Sequence, residues 1–354
     1  MYKIDQLVDF MVKHDASDLY LTVGRAPSYK LNGAVKSAGK EAISSEIITS
    51  LYKSVMNESE QAEFEEKHEF NMARSFDGVD GRFRFNVYKQ KNHPAIVIRK
   101  IETLIKTVDE LRLPPVLKEI SMAKRGLVLV VGATGSGKST TLASMIDHRN
   151  RNEEGHIITI EDPIEFVHEH KKCVISQREV GVDTQSFKAA LKNTLRQAPT
   201  VILVGEIRDE ETMEHAINFA ETGHLCLATL HANNANQAME RVINFFPPER
   251  HDQIYMQLSL NMKGVVSQRL VKTVDGGRAA AIEILKDSGR ACDLIKKGRI
   301  DDLKEAMETG AREGMQTFDQ ALINLYQEKR ISMEEALANA DSATDLKIKF
   351  NLKG

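Results

Sequence analysis

The chain has 354 residues, 28% charged and 42% hydrophobic, with a formal net charge of −3 and three cysteines. That length suffices for two domains with sizeable cores, and the charge balance speaks against a strongly basic nucleic-acid binder. Cys173, Cys226 and Cys292 stand far apart with no C-x-x-C spacing; they point to neither a zinc site nor a disulfide framework, and fit a reducing compartment.

The N-terminal stretch MYKIDQLVDFMVKHDASD mixes acids and bases throughout and lacks the apolar core of a signal peptide. The longest apolar runs, such as Leu127–Val131, have strand length and fall far short of the ~20 residues that span a bilayer. The reading is a soluble, cytoplasmic protein with no transmembrane segment. Ile4, Leu7, Val8, Met11 and Val12 recur at helical spacing. Residues 18–33, DLYLTVGRAPSYKLNG, read as a strand, a Gly-Pro turn and a second strand. Residues 44–68 look helical and acidic; 81–90 alternate strictly, and 94–101 follow as the partner strand. Residues 1–102 thus form a small α+β domain. Residues 103–115 end in Pro114 and Pro115 and read as a linker.

Beyond that point helical segments alternate with all-apolar runs at 126–132, 156–161, 200–206 and 225–231. Such runs argue a parallel sheet covered on both faces, an α/β core over 116–285. After about residue 250 the chain reads as mostly helical and polar, apart from 277–285, with a helical C-terminal region at 286–354. Neither repeats nor low-complexity segments interrupt it.

Residues 132–140, GATGSGKST, satisfy every position of G-x-x-x-x-G-K-[ST], directly after an apolar strand and before a helix-compatible stretch. Gly132, Ala133, Thr134, Gly135, Ser136 and Gly137 form a loop whose backbone N–H groups turn inward around phosphate oxygens, and the helix N-terminus adds partial positive charge. Lys138 reaches the β/γ-phosphates of ATP, and the hydroxyl of Ser139, next to Thr140, binds Mg²⁺. A merely structural glycine-rich turn does not require this full pattern.

Hydrolysis also needs an acid near the metal and a group that orients water. Acids suited to this sit at the C-terminal ends of parallel strands. One such end is VILVGEIRD (201–209), which reads as a Walker-B-type strand with Glu206 in place of the usual Asp. The other is TIEDPIEF (159–166), with Glu161, Asp162 and Glu165 around Pro163. These three are either solvated turn acids or carboxylates set out for chemistry; a P-loop one strand away favours the second. His231 ends the run 225–231 and reads as a γ-phosphate sensor, against the alternative of a hydrogen-bonded structural histidine; His224 is the weaker candidate at its start. In GRFRFN, Arg82 and Arg84 share one strand face and Phe83 and Phe85 the other, and Arg99 follows on the partner strand. The arginines are a solvated basic face or phosphate contacts given in cis or to a neighbouring subunit. Periodicity does not choose between these.

The segments 132–147, 159–187, 199–235 and 259–271 together resemble the hexameric secretion ATPases of type IV pili and type II secretion, over essentially the whole chain. Within that superfamily the sequence looks like the retraction branch, the PilT/PilU group. The resemblance implies a RecA-like P-loop ATPase domain behind a small PAS-like domain. It implies Glu165 as the residue that polarises the attacking water, Glu206 as the Mg²⁺ carboxylate acting through water, and His224 and His231 as the His box. It also implies Arg82, Arg84 and Arg99 as arginines that close the nucleotide site. The implied partners are a homo-hexamer, an inner-membrane pilus platform protein and a paralogous retraction ATPase, with the protein peripheral at the cytoplasmic face of the membrane.

Two departures refine this. Where the main retraction ATPases carry Ala-Ile-Arg-X-Leu-Ile-Arg-Glu, residues 291–298 read ACDLIKKG; and TLRQAP (194–199) replaces the usual Arg-Glu-Asp-Pro. With the extended end DLKIKFNLKG, these look like the accessory, PilU-type branch. Assembly ATPases carry a longer N-terminal region and a four-cysteine motif. A nucleic-acid translocase calls for a basic loop with stacking aromatics, and a regulatory module without turnover has no use for Glu165 and Glu206.

Overall fold

The computed structural model describes residues 2–31 and 33–351, and its contacts divide the chain into two units. The first is Met1–Leu104 with Ile164–Val167 and Gly181–Asp183; the second is Ile105–Pro163, His168–Val180 and Thr184–Gly354.

The first unit holds strands β1 (Asp18–Leu21), β2 (Ser28–Leu31), β3 (Ala34–Ser37), β4 (Glu69–Phe76), β5 (Val79–Gln90) and β6 (His93–Ile101). They pair antiparallel in the order β3-β2-β1-β6-β5-β4. Alternation on β5 turns Phe83, Phe85 and Val87 fully inward. Helix Ile4–Lys13 buries Ile4, Leu7, Val8 and Met11 in the same core. The acidic stretch expected as one helical block is two helices, Ser45–Lys53 and Glu58–Lys67. The second starts with a capping box, in which Asn57 and Glu60 each accept the other's backbone N–H. β3 and β4 were not expected; of the expected first hairpin, Asn32 lies outside the described residues.

The second unit holds β7 (Gly126–Val131), β8 (Gly155–Glu161), β9 (Cys173–Glu179), β10 (Val201–Val204), β11 (Leu225–Leu230), β12 (Met262–Lys272) and β13 (Arg278–Lys286). Their order is β13-β12-β7-β11-β10-β8-β9, parallel except for the β12–β13 pair. Every residue of β7, β10 and β11 is buried, because helices cover both faces. Leu127, Leu129 and Val131 enter one core, and Val128 and Val130 the other.

Two expectations change. The stretch 103–115 is not a free-standing linker: from Ile105 it belongs to the second unit, where Val108 and Leu113 pack with Leu117 and Val128. Residues past 250 are not continuously helical, since β12 is an 11-residue strand. In the C-terminal helical region, Phe318, Leu322 and Leu346 pack on Val271 and Ala281 of β12 and β13. Residues 352–354 of the expected helical region lie outside the described residues. Among the described residues, no helix is long and apolar enough to cross a membrane.

Candidate nucleotide site

β7 delivers the P-loop at its C-terminal end, and helix Lys138–Asn152 begins directly after it. The turn between them requires glycine. Gly137 caps the helix at φ +91°, and a Cβ there would meet Gln268 Nε2 at 2.6 Å. At Gly132 a Cβ would lie 2.5 Å from both the Gln268 carbonyl oxygen and Ser136 Oγ. Gln268 comes from β12, which pairs parallel with β7, and its Oε1 accepts the Thr141 hydroxyl at 2.7 Å. The P-loop therefore lies against a buried wall supplied by a strand more than a hundred residues away in sequence.

Lys138 Nζ donates to the carbonyls of Gly132 (2.9 Å) and Ala133 (3.0 Å). Burial lowers its pKa, and the charge of Glu206 acts the other way. Ser136 Oγ is buried with no hydrogen-bond partner among the described residues, so it has a free donor inside the loop. Ala133, Thr134, Gly135 and Ser139 are exposed, and Thr140 is half-buried. Beside the loop, Gly132–Ser136, Arg269, Lys272, Arg278 and Glu335 line an open cleft of about 490 Å³.

The neighbouring strand ends converge on one carboxylate. Glu206, just past β10, accepts Arg208 Nε at 2.9 Å and Nη2 at 2.7 Å through Oε2. Its Oε1 lies 3.1 Å from Nε2 of His231, which follows β11. Arg208 in turn lies 3.7 Å from Asp162 at the end of β8. The Thr229 hydroxyl donates to the Gly205 carbonyl, and Ile207 N–H donates to Thr229 O at 2.9 Å, fixing the Glu206 turn to β11. Gly205 has no room for a side chain: a Cβ would meet Glu161 Cα and Ile160 O at 3.0 Å.

Strand order corrects one expectation. β11 and β10 lie between β7 and β8, so the Glu161–Asp162 turn is three strands from the P-loop rather than one. The chain crosses outward to β8 and returns to fill the gap. His231 is on the strand beside the P-loop, but His224 is at the opposite end of β11, bonded near Thr222 Oγ1 and Phe219 O. A strand of this length puts the two histidines on the order of 20 Å apart, and the fold does not bring His224 to the P-loop of its own unit.

Glu165 belongs to the first unit, in the segment Ile164–Val167, where Phe166 bridges to Glu102 and Val167 N–H donates to Glu102 O at 3.0 Å. It is exposed. In the same unit Arg84 stands directly opposite Arg99 across β5 and β6. Arg99 Nε donates to Asp18 at 2.7 Å. The bond to Asp18 and then the charges of Asp18 and Glu165 raise the Arg99 pKa, with burial opposing. Burial alone would raise the pKa of Asp18; Arg99, Ser17 and Lys30 outweigh it and hold the carboxylate low. The two arginines of β5 are not both pointed freely outward, since Arg82 Nε is buried with no hydrogen-bond partner among the described residues.

The sequence reading missed Gln268 and its neighbours. Arg269 donates to Asn233 O at 3.4 Å, Asn339 O at 2.8 Å and Asp341 Oδ1 at 2.8 Å, and stacks on Phe318 with Cζ 3.8 Å from the ring centroid. Glu283 of β13, 1% exposed, accepts Ala235 N–H at 2.7 Å and the Ser267 hydroxyl at 3.0 Å. Burial pushes its pKa up to about 7, against those two hydrogen bonds. The proton it retains favours the folded state below the ordinary glutamate pKa near 4.5, and that stabilisation is lost as pH rises through about 7. Glu283→Gln removes this titration. Relative to the parent, the variant should therefore gain on the order of 3 kcal/mol between pH 4 and pH 8 in urea unfolding. Equal pH slopes for the two proteins would refute this.

A second expected result concerns Gly137→Ala. The left-handed backbone costs an L-residue about 1–2 kcal/mol, and the Cβ displaces Gln268. Thermal stability should fall and ATP affinity weaken about tenfold or more by titration with a fluorescent analogue, since the loop loses its wall. Parental affinity would show that the wall does not shape the loop.

A complete P-loop beside a carboxylate–histidine pair, at the C-terminal edge of a mainly parallel sheet, defines a nucleotide-hydrolysing P-loop enzyme. The chain belongs to the Type II/IV secretion system protein family, whose model matches residues 3–343. It is 54% identical over 351 residues to the type IV pilus ATPase PilU of Pseudomonas aeruginosa, covering 99% of this chain and 92% of that protein. It is 42% identical over 337 residues to the type IV pilus retraction ATPase PilT of the same organism, covering 95% of this chain and 98% of that one. The crystal structure of the pilus retraction motor PilT with bound ADP superposes with a TM-score of 0.91 at 38% identity, covering 98% and 99% of the two chains. The family and α/β fold expected from the motifs agree with these matches, and the chain is an ATPase.

Proposed function

We propose that this chain is a motor ATPase that powers type IV pilus retraction, and hence twitching motility, as a PilU-like accessory motor. The observation that carries this reading is the near-full-length likeness to PilU and PilT, together with a P-loop complete at every position. Deleting the gene should lower pilus-dependent motility and raise the number of surface pili; unchanged values of both would overturn the reading.

Lys138 leaves the Gly132 and Ala133 carbonyls to hold the β/γ-phosphates, while the loop N–H groups and the helix N-terminus cradle them. Mg²⁺ fits the residues present: Ser139 offers an exposed hydroxyl, and Glu206, whose two oxygens already meet Arg208 and His231, suits contact through water. When bound, the ion neutralises charge on the phosphates. Glu165 accepts a proton from the attacking water. His231 senses the γ-phosphate through Glu206; His224, named in the His box by resemblance alone, stands at the opposite end of β11. Arg82, Arg84 and Arg99 close the site, in cis or across a subunit boundary of a homo-hexamer. The motor works at the cytoplasmic face of the inner membrane, against the pilus platform protein and beside a paralogous retraction ATPase, with no nucleic-acid partner.

A further inference from the structure

The turn from His231 to Asn234 is the shortest route from β11 to helix Ala235–Asn244. It carries the histidine that meets Glu206, so its placement sets that contact. Two side chains from outside hold it, through hydrogen bonds at Asn233 and Ala235 rather than at His231. Glu283 accepts the first N–H of the helix, a donor with no partner inside the helix itself. Arg269 holds the Asn233 carbonyl from the other side. The remaining bonds of Arg269 go to Asn339 O, at the end of helix Met333–Asn339, and to Asp341 between the last two helices, and Asp341 also takes Lys304 Nζ at 3.1 Å. Asn233, Asn234, Gln237, Arg269, Glu283 and Lys304 line a common polar cleft at this point.

We propose that Glu283 and Arg269 are positioning residues for ATP turnover: they clamp the 231–234 turn so that His231 keeps its contact with Glu206, and Arg269 ties that turn to the C-terminal helices. This rests on the reading of His231 given above. A guanidinium in a fixed plane can serve three acceptors at once, whereas an ammonium on the same site cannot. Glutamine at 283 keeps an oxygen for the Ala235 N–H; alanine does not.

The test measures kcat, KM for ATP and thermal midpoint of the full chain for Glu283→Ala, Glu283→Gln and Arg269→Lys, each alone and combined with His231→Ala. Glu283→Ala and Arg269→Lys should lower kcat about fivefold or more with KM within about twofold, and Glu283→Gln should recover most of the loss. With His231→Ala present, the same two substitutions should lower kcat no further, while their effect on the thermal midpoint persists. Parental kcat in both single variants, or losses that multiply with that of His231→Ala, would overturn the proposal. If Glu283→Ala does not fold, Arg269→Lys carries the same expectations and decides alone. His231→Ala with parental kcat would sink the reading of His231 and the clamp with it; an impaired His231→Ala with multiplying losses would sink the clamp only.

Discussion

Lys138→Ala is expected to end ATP turnover, with kcat falling by roughly 10²–10³ or more. The amine is the one cation that the P-loop itself supplies, and it stands at the start of helix Lys138–Asn152, within reach of the Gly132 and Ala133 carbonyls. No other side chain on the loop carries charge, so the loop itself has no replacement for it. The fold should survive, since the lost bonds are two contacts to loop carbonyls and the core strand β7 is untouched. Circular dichroism should match the parent while phosphate release disappears. Hydrolysis at the parental rate would remove the loop from the chemistry.

Glu165→Gln is expected to leave nucleotide binding nearly intact and to lower hydrolysis roughly 10²–10⁴-fold. The amide keeps the size of the side chain but cannot take a proton from water. Glu165 is exposed, so the exchange disturbs no packing. Arg84→Ala should also fold, because Phe83 and Phe85 on the opposite strand face carry the packing, and it should lower hydrolysis sharply. Mixing the two variants separates cis from trans action. If one subunit's arginine serves its neighbour's site, some interfaces then combine a sound Arg84 with a sound Glu165, and activity partly recovers. No recovery at any ratio, in rings shown to exchange subunits, would refute shared sites.

How much of this was legible follows from what sequence can encode locally. The P-loop is contiguous, so its nine residues announced themselves. β7, β10 and β11 were legible because burial on both faces leaves an unbroken apolar run. β4 and β9 were not, since each lies at a sheet edge and keeps polar residues among its apolar ones. β12 escaped for a different reason: its run is broken by Ser267, Gln268 and Arg269, which are polar because they support the P-loop and the 231–234 turn. The position of Glu161 and Asp162 relative to the P-loop depended on strand order, which no stretch of residues carries. His224 matched a motif by spacing, but a strand separates its ends, and only the fold shows which end faces the phosphates.

β7 bonds on one side to β11 and on the other to β12, at Val131↔Leu230 and Val131↔Ser267. Both partners follow it by about a hundred residues or more, while the first unit's sheet is complete by Ile101. During synthesis at roughly 5–20 residues per second, the apolar strand bearing the P-loop waits on the order of ten seconds for its second neighbour. Throughout that interval Gln268 does not yet exist, so the loop has no wall and nucleotide cannot act as a folding ligand. The nascent chain thus passes through a stage with a finished leading sheet and an unpaired hydrophobic strand behind it. That stage is where chaperone dependence and aggregation during expression should concentrate, and chains released before Met262 should be insoluble even at millimolar ATP.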